Sequence, residues 1–498
     1  MAPRQALLLL LAWLFLSLPT SISTPPRICV IGSGIAGSSL AHFIKHYTCS
    51  TPGRTQCLDD IHIFERRDRP GGRMATVTIG GDVFEAGASI IHPKNLHALR
   101  FASLLNLPHK SKPASSDDSD SWVGIWDGDK FIFETLRPPP ASSSSLYRKI
   151  HSLLNSLLLF RRYGFSLFKM SAFVKGMLEK FLSYYKELES RPVFTTVEEM
   201  LQWSELYELT QRTLQEELEN AGLSAHLISE LVTVITRINY GQSTGISGLA
   251  GAVSLAGSDD GLWSVEGGNW QIAAGLINQS NIFLYLNEEI TSISYTGASY
   301  SLKSKDGTNH NCEVAVIATP LDELNISFTP PVSIPSRRLQ HTFTTFMRGL
   351  INPKYFGLKS ASEVPDLVGT VEKPDLPFSS ISVLKEYTDE EKTYKMFSRS
   401  APSDDLLDQI FSSRKETIRI DWPAYPHFEP PEVFAPIILD GVHLYYINSF
   451  ENAASTIETG AVAAENVARL IISRLSNSRP DAQTIKIPTN DQKDLHLD

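Results

Sequence analysis

The sequence predicts an α/β fold built around a parallel sheet. Short apolar stretches at 28–31, 61–64 and 314–318 are typical of buried parallel strands, and helix-like segments follow them. Between 146 and 230 the apolar residues recur at helical spacing with few glycines, which predicts a mainly helical region. With 498 residues, of which 42% are hydrophobic, the chain is long enough for two or three domains.

A glycine motif stands where the first strand meets the first helix. Gly32, Gly34 and Gly37 form G-x-G-x-x-G directly after the strand. In this position the first glycine permits a tight turn, the second lets the backbone approach a pyrophosphate, and the third lets the helix pack closely on the strand. Glu65 ends the second strand, where a carboxylate can bind the hydroxyls of a ribose. We therefore expect an ADP-containing dinucleotide in a Rossmann-type domain.

A second glycine turn indicates which dinucleotide binds. Gly71, Gly72 and Arg73 follow closely after Glu65. A nicotinamide enzyme has no need for such a turn, whereas the chain resembles flavoproteins here, because these run their FAD inward along it. The alternative interpretation is a surface turn beside a solvated arginine. Together with the first motif, the turn predicts FAD.

The first 23 residues predict a secretory signal peptide. Arg4 precedes an apolar block at 6–18, and small residues follow at 21–23. The block is shorter than the roughly 20 apolar residues that a membrane-spanning helix needs. The longest later candidate, 151–168, is interrupted by polar and charged residues, so no transmembrane span is predicted. No basic amphipathic helix stands out that would mediate membrane contact.

Passage through the secretory route would have two chemical consequences. Cys49 and Cys57 flank a Pro-Gly turn and could form a disulfide in an oxidising lumen, with two free thiols as the alternative. Asn278 and Asn325 each begin an N-x-S motif and are predicted glycosylation sites.

Two classes of partner are not expected. No spacing of histidines and cysteines matches a metal site, so no metal is predicted. The formal net charge of −10 argues against nucleic acid, because phosphate contacts need clustered lysines and arginines.

Four motifs together show which flavoproteins the chain resembles. The two glycine motifs and the helix start at 456–461 are common to many flavoenzymes and indicate only FAD. The fourth motif is narrower: it runs through glycine-rich 251–263 and ends in Gly267, Gly268 and Asn269. With these motifs the chain resembles the prenylcysteine oxidase (farnesylcysteine lyase) family, of the amine-oxidase-like superfamily. The resemblance implies a thioether oxidase that converts S-prenylcysteine, water and O₂ to prenyl aldehyde, cysteine and hydrogen peroxide.

The resemblance also implies a domain organisation and a location. A lumenal enzyme of this family is expected in a lysosome or vacuole. The FAD-binding domain is assembled from three chain segments, and an α+β substrate domain fills the gaps between them. The predicted parts are a signal peptide at 1–23, an FAD-binding domain at 27–105, 240–330 and 435–475, a substrate domain at 106–239 and 331–434, and a polar tail at 476–498.

Further cofactor contacts are carried over from the family. Gly72 and Arg73 would line the path toward the flavin, and Gly87 and Ala88 would pass near its ring system. The backbone at Ile290 would meet the adenine edge.

The closing helix would complete the FAD site. Glu451, Glu458 and Gly460 match the region that holds the ribityl chain and the pyrimidine end of the flavin. No residue matches a covalent flavin attachment, so the FAD is expected to be non-covalent.

The substrate side is less specific. His92, beside the expected flavin segment, is a candidate for activating water, with a structural histidine as the alternative. The helical region 146–230 would form the wall of an apolar tunnel, or simply an ordinary helical core. An apolar substrate suggests transient membrane contact. The rival functions are an amine or polyamine oxidase with a carboxylate-lined tunnel, a desaturase-like flavoenzyme and a non-enzymatic FAD carrier.

Overall fold

The computed structural model describes residues 25–49, 57–110, 122–140, 142–187 and 190–477. The predicted signal peptide and nearly all of the polar tail lie outside the described residues. Within them the α/β prediction is confirmed, with one parallel sheet and further mixed and antiparallel sheets.

In chain order, the strands are β1 (Ile28–Ile31), β2 (Ile61–Glu65), β3 (Thr76–Ile79), β4 (Asp82–Glu85), β5 (Val123–Trp126), β6 (Phe131–Glu134), β7 (Phe283–Leu286), β8 (Ile290–Tyr295), β9 (Tyr300–Ser304), β10 (Asn309–Cys312), β11 (Val314–Ile317), β12 (Ser327–Thr329), β13 (Leu339–Ile351), β14 (Leu367–Thr370), β15 (Ser380–Thr388), β16 (Glu391–Ser398), β17 (Phe411–Pro426) and β18 (Leu444–Tyr446). The helices are α1 (Ile35–Cys49), α2 (Leu96–Leu104), α3 (Ser145–Tyr163), α4 (Ser166–Phe181), α5 (Val197–Trp203), α6 (Leu214–Asn220), α7 (Ala225–Leu227), α8 (Thr233–Tyr240), α9 (Gly248–Ala256), α10 (Trp270–Ser280), α11 (Asp404–Ile410) and α12 (Ile457–Asn477).

The parallel sheet has the strand order β18-β11-β1-β2-β7 and is buried on both faces. Ile28 and Val30 point to one face and pack among residues of α1 and α12. Cys29 and Ile31 point to the other face and pack against the sheet β10-β9-β8-β12. This double burial explains why the strands are apolar without alternation. The strands come from separated stretches of the chain, while the domain boundaries remain predictions.

The largest sheet among the described residues has seven strands, in the order β17-β13-β16-β15-β14-β5-β6. Its longest pairing joins β13 and β17 in antiparallel register. The hairpin of β3 and β4 packs against this pair, because Ile79 and Phe84 share one apolar cluster with Phe346 and Trp422. The hairpin thereby connects the second glycine turn to the large sheet.

The helical region from 145 to 256 contains α3 to α9, as the apolar periodicity predicts. The stretch 197–218 is not one continuous helix but two, because a new capping box begins within it. Thr196 and Glu199 cap the start of α5, and Thr213 and Glu216 cap the start of α6 in the same reciprocal way.

All four cysteines are paired. One disulfide joins Cys49 to Cys57, the pair named from the sequence. The other joins Cys29 to Cys312, which the sequence did not indicate: these residues are 283 positions apart and become neighbours only because β11 pairs with β1. Asn278 and Asn325 are both exposed. No helix among the described residues is long and apolar enough to cross a membrane.

Candidate functional site

A large cavity opens at the carboxyl ends of the parallel strands. Its volume is about 1710 Å³, including its open mouth. The residues after β1, β2, β11 and β18 all line it, which is where open α/β sheets bind their ligands. The predicted cofactor residues on its lining are Gly32, Gly34, Glu65, Gly72, Arg73, Gly87, Ala88, Ile290, Glu451 and Gly460.

The first glycine turn leaves no room for side chains. Gly32 has φ +107°, and a Cβ there would lie 2.7 Å from the carbonyl oxygen of Ala318. A Cβ on Gly37 would lie 2.0 Å from the carbonyl oxygen of Gly32. Gly37 is not on the cavity lining; its absent side chain instead lets α1 sit close against β1. The first turn of α1 carries no acidic residue, so no side chain of that turn competes with a bound anion for its free N–H groups.

The second glycine turn touches the first. Gly72 has φ +59°, and a Cβ on it would lie 3.3 Å from the Cα of Gly34. Arg67 donates to the Gly72 carbonyl at 2.9 Å and so fixes the turn. Two backbone segments without side chains therefore meet at the cavity, as a pyrophosphate cradle requires.

Glu65 is buried at the end of β2 and already serves as an acceptor. Its carboxylate accepts from the backbone N–H of Ser33 at 3.1 Å, from the Ser33 hydroxyl at 2.6 Å and from the N–H of Arg67 at 3.0 Å. These bonds orient the carboxylate on the cavity lining, where a ribose could share its oxygens.

An ion network crosses the cavity. Arg73 forms an ion pair with Glu451, and its guanidinium also donates to the carbonyl of Ala424 at 2.6 Å. Arg337 contacts the other oxygen of Glu451 at 3.3 Å. Burial alone would raise the pKa of Glu451, but the two arginines outweigh burial and hold that pKa below its ordinary value. Glu451 is therefore an anion that pairs with Arg73 and shares Arg337 with Asp322, which lies 2.9 Å from that guanidinium.

The segment at 86–88 is held in place from both sides. The buried Asn269 donates its side-chain amide to the carbonyl of Ala88 at 2.8 Å, and its backbone N–H donates to the carboxylate of Glu85 at 2.6 Å. Lys395 on β16 donates to the Glu85 carbonyl at 3.0 Å and to the Ser89 hydroxyl at 2.9 Å. The narrow sequence motif ending in Asn269 thus positions the backbone that lines the cavity.

Two groups beside this segment titrate near neutral pH. Burial lowers the pKa of Lys395 to about 8. Burial also raises the pKa of Glu85 to about 7, although the Asn269 N–H opposes that rise. Lys395 is not among the residues predicted from the sequence, because a lysine within a strand of alternating character is typical of a solvated face.

The closing helix brings Gly460 to the cavity. A Cβ on Gly460 would lie 3.0 Å from the Cγ2 atom of Ile35, so the first turns of α12 and α1 approach closely. Ile290 lines the cavity at the start of β8, beside Glu288 and Glu289.

The expectation for Glu458 needs correction. Its carboxylate accepts from the backbone N–H groups of His97 at 2.7 Å and Ala98 at 3.0 Å, and from the Tyr185 hydroxyl at 2.5 Å. It is not among the cavity-lining residues. On a helix, residues 458 and 460 point in different directions, and Glu458 faces the first turn of α2, where an anion is favourable.

The expectation for His92 needs correction as well. Its Nε2 lies 3.2 Å from a carboxylate oxygen of Asp259, and its Nδ1 accepts from the N–H of Lys94 at 3.0 Å. No histidine or cysteine of the described chain lines the cavity. His92 follows the flavin segment in sequence, but its side chain contacts a loop outside the cavity.

The cavity wall comes from the large sheet rather than from the helices. None of the described residues between 146 and 240 lines this cavity, so a tunnel walled by these helices stays a prediction. The wall consists of Leu339, Thr342, Thr344, Phe397, Trp422, Pro423, Ala424 and Tyr425.

Three polar atoms on this wall are buried without a protein partner. They are the hydroxyl oxygens of Thr342 and Thr344 and the indole nitrogen of Trp422. Thr342 and Trp422 are directly opposite in the β13–β17 pairing, and Thr344 points to the same face of the sheet. Buried donors and acceptors in native proteins normally have partners, so these three atoms indicate where a bound molecule makes polar contacts.

A buried carboxyl group behind the 447–452 turn gives a test of this part of the site. Glu432 accepts from the side-chain amide of Asn452 at 2.7 Å, and burial raises its pKa to about 8. In the unfolded chain the ordinary value is 4.5. Between these two pH values the folded state binds the extra proton, so this group's contribution to stability falls as the pH rises.

We expect Glu432→Gln to stabilise the protein. Glutamine keeps the size of the side chain and is always neutral, so the folded state no longer has to bury a carboxylate that would be ionised in the unfolded chain. The gain should grow from pH 4.5 toward pH 8 and reach up to about 3 kcal/mol at pH 7. Denaturant unfolding at several pH values measures it. A gain that is independent of pH would contradict the raised pKa of Glu432.

The cavity as a whole fits FAD. Two side-chain-free turns meet where a pyrophosphate would lie, and Glu65 stands at the ribose position. FAD would be held by the glycine turns, Glu65 and the starts of α1 and α12.

Comparison with known proteins points to one family. The chain matches the prenylcysteine lyase family model over residues 146–483 and an NAD(P)-binding Rossmann-like domain model over 30–104. It is 58% identical over 451 residues to farnesylcysteine lyase of Arabidopsis thaliana, covering 91% of this chain and 89% of that protein. It is 32% identical over 480 residues to prenylcysteine oxidase 1 of Homo sapiens, covering 90% of this chain and 89% of that protein.

Solved structures show the same fold at low identity. Cyclohexylamine oxidase from Brevibacterium oxydans superimposes with a TM-score of 0.57 at 17% identity, covering 91% of this chain and 100% of that chain. Putrescine oxidase gives a TM-score of 0.55 at 12% identity, with the same coverage. The protein is an FAD-dependent oxidoreductase with a flavin amine oxidase-like fold. The chain belongs to the prenylcysteine lyase family.

Proposed function

We propose that this protein cleaves S-prenyl-L-cysteine, with S-farnesylcysteine as substrate, by oxidising the thioether. The balanced reaction converts prenylcysteine, water and O₂ to prenyl aldehyde, cysteine and hydrogen peroxide. The carbon between the sulfur and the double bond is the one oxidised, since both neighbours delocalise positive charge that develops there. The C–S bond breaks after water has added to that carbon, and the sulfur leaves as the thiol of cysteine.

The chemical character of the cavity wall carries this proposal. Leu339, Phe397 and the 422–425 stretch present apolar surface, and no described residue of the sheet wall is a carboxylate. Among the carboxylates that do line the cavity, Glu451 is neutralised by Arg73 and Arg337. A polyamine is a multiple cation and needs unneutralised carboxylates, whereas a prenyl chain needs a neutral apolar surface. The wall therefore favours the thioether over the amine substrate.

The three unpartnered polar atoms give the substrate an orientation. Thr342, Thr344 and Trp422 stand on the apolar wall, where they can bind the ammonium or carboxylate group of the cysteine moiety. The polar atoms would hold the cysteine moiety and the apolar surface of the same wall would hold the prenyl chain. Binding at both ends determines which carbon of the substrate lies next to the cofactor.

The cofactor and the protein divide the chemistry. Bound FAD supplies a two-electron acceptor that O₂ can reoxidise. The chain supplies orientation through the sheet wall and keeps bulk water from the reacting carbon. No described histidine lies on the cavity lining.

Anaerobic mixing tests the proposed function. We expect S-farnesylcysteine to bleach the flavin absorbance in the absence of O₂, and spermine or putrescine to leave it unchanged. On admission of air the absorbance should return, with one hydrogen peroxide formed for each aldehyde. A flavin that stays oxidised with farnesylcysteine and is bleached by a polyamine would establish the amine oxidase instead.

We also propose that the FAD is bound without a covalent link. All four cysteines are engaged in disulfides, which removes the thiol that a flavin could attach to. Acid precipitation of the purified protein should therefore leave the yellow flavin in the supernatant. Flavin in the pellet would contradict this.

We propose a lumenal location, ending in a lysosome or vacuole. The apolar N-terminal segment and the two disulfides suit an oxidising secretory route. The raised pKa values of Glu85 and Glu432 suit an acidic lumen, since both carboxyls are neutral there. A fluorescent fusion at the carboxyl terminus should colocalise with acidic organelles, and a cytosolic signal would contradict the proposal.

A further inference from the structure

The exposed apolar side chains are concentrated in one short stretch. Fifteen large hydrophobic residues are exposed in the described part of the chain, and nine of them lie between 146 and 168. Most belong to α3, and the others stand at and just after the turn into α4. We call these nine residues the α3 face: Leu146, Tyr147, Ile150, Leu153, Leu154, Leu157, Phe160, Phe165 and Phe168.

The spacing places the members of the α3 face that belong to α3 on one side of that helix. Residues 146, 150, 153, 157 and 160 follow one another at intervals of four and three, so they form a continuous stripe. At its end, Phe160, Phe165 and Phe168 contact one another as a ring cluster. Phe165 is 73% exposed and Phe168 is 64% exposed.

The side of α3 that faces the protein is attached largely by polar contacts, and only Leu159 and Tyr163 join the apolar core from this helix. The side-chain oxygen of Asn155 accepts from the backbone N–H of Leu136 at 2.7 Å, and His151 bonds to the carbonyl of Arg137 at 2.9 Å. Tyr163 donates to Glu230 at 3.0 Å. Since polar contacts attach the helix, its apolar stripe is left for something outside the chain.

The charge of the helix indicates the kind of surface that the stripe meets. α3 carries Arg148, Lys149 and Arg161 and no acidic residue, although the whole chain has a net charge of −10; a fourth cation, Arg162, is paired with Glu230. An apolar stripe flanked by cations is typical of helices that lie in the interface of an anionic membrane. In a two-fold dimer through this stripe, the cations of both copies would face each other and repel.

We propose that α3 and the beginning of α4 dock on an anionic phospholipid bilayer. The helix lies along the membrane surface, with the α3 face among the acyl chains and the exposed Lys149 and Arg161 at the headgroups. The sequence predicted helix here but did not reveal its basic amphipathic character, because residues 145–163 also contain the polar residues that attach the helix to the protein. The proposal does not depend on the proposed function, although a prenyl substrate would also concentrate in such a membrane.

Vesicle flotation tests the docking without any substrate. The purified protein is mixed with vesicles of phosphatidylcholine alone or of equal parts phosphatidylcholine and phosphatidylserine. We expect flotation with the anionic vesicles, weakened by salt because the basic residues contribute. Leu153→Glu combined with Leu157→Glu should lower the bound fraction at least about tenfold, since two apolar side chains leave the acyl region.

The matched control places the same two charges elsewhere. Val83 and Phe283 are exposed apolar residues outside the α3 face, so Val83→Glu combined with Phe283→Glu should float like the unchanged protein. All variants should keep their FAD and their thermal unfolding temperature, which shows that they are folded. Equal flotation of the α3-face variant and the control would overturn the proposal. So would a protein that binds neither vesicle but forms a dimer that Leu153→Glu with Leu157→Glu dissociates.

Discussion

Gly37→Ala is expected to yield a protein without bound FAD. The new Cβ would lie 2.0 Å from the carbonyl oxygen of Gly32, a distance that no pair of non-bonded atoms tolerates. The atom that the Cβ would strike belongs to the backbone and cannot rotate away as a side chain could. Helix α1 must therefore move away from β1 and carry its N-terminal N–H groups away from the pyrophosphate position. Flavin absorbance of the purified protein measures the loss, and activity should fall by at least about a hundredfold because binding contacts to the pyrophosphate are lost.

The control for this substitution is the same change where there is room. Gly176 lies within α4, and a Cβ there meets nothing within 4 Å outside its own helix. Gly176→Ala should keep its flavin and gain about 0.5–1 kcal/mol in unfolding free energy, since alanine favours the helix. Normal flavin content in Gly37→Ala would show that α1 can separate from β1 without cost to the cofactor site.

The cofactor half of the site was predictable because it is local. The tight turn at Gly32 and the close packing at Gly37 depend on residues a few positions apart, so spacing alone indicates them. Glu65 follows from the same unit, since it ends the next strand of the parallel sheet. The fold class follows from the apolar strands, which are buried on both faces.

The proposed substrate wall was not predictable, because it depends on which strands meet. Thr342 and Trp422 are 80 positions apart and share a wall only through the β13–β17 register. Helical periodicity correctly predicted that the 146–230 region has apolar faces, but it cannot say what those faces contact. One of them, on α3, points outward, and none reaches the cavity.

Closeness in sequence also misled at two positions. His92 follows the flavin segment by only a few residues, yet it bonds to Asp259. Glu458 is two residues from Gly460, but a helix turns about 200° over two residues, which directs this carboxylate to α2. Side-chain direction, rather than position along the chain, decides whether a residue belongs to the site.

Glu451→Gln is expected to destabilise the protein by about 3–5 kcal/mol and to weaken FAD binding, because the substitution leaves Arg73 without its ion-pair partner and leaves Arg337 with Asp322 alone. Arg73 and Arg337 both pair with this buried carboxylate. Their charges hold its pKa below the ordinary value of 4.5, so its contribution is fully present at pH 7 and is lost only as the pH falls below 4.5. Denaturant unfolding and flavin titration measure the two effects.

Glu432→Gln is the matched control, because it makes the same chemical change at a second buried glutamate whose pKa is shifted in the opposite direction. No arginine pairs with Glu432 among its hydrogen bonds and ion pairs in the described chain, and its pKa is raised rather than lowered. The two variants should therefore shift stability in opposite directions at pH 7 and respond oppositely to acid. The deficit of Glu451→Gln should shrink below pH 4.5, while the gain of Glu432→Gln should already have disappeared there. If both variants were equally destabilised at every pH, loss of shape rather than charge would explain them, and the ion network would not be what holds the cavity together.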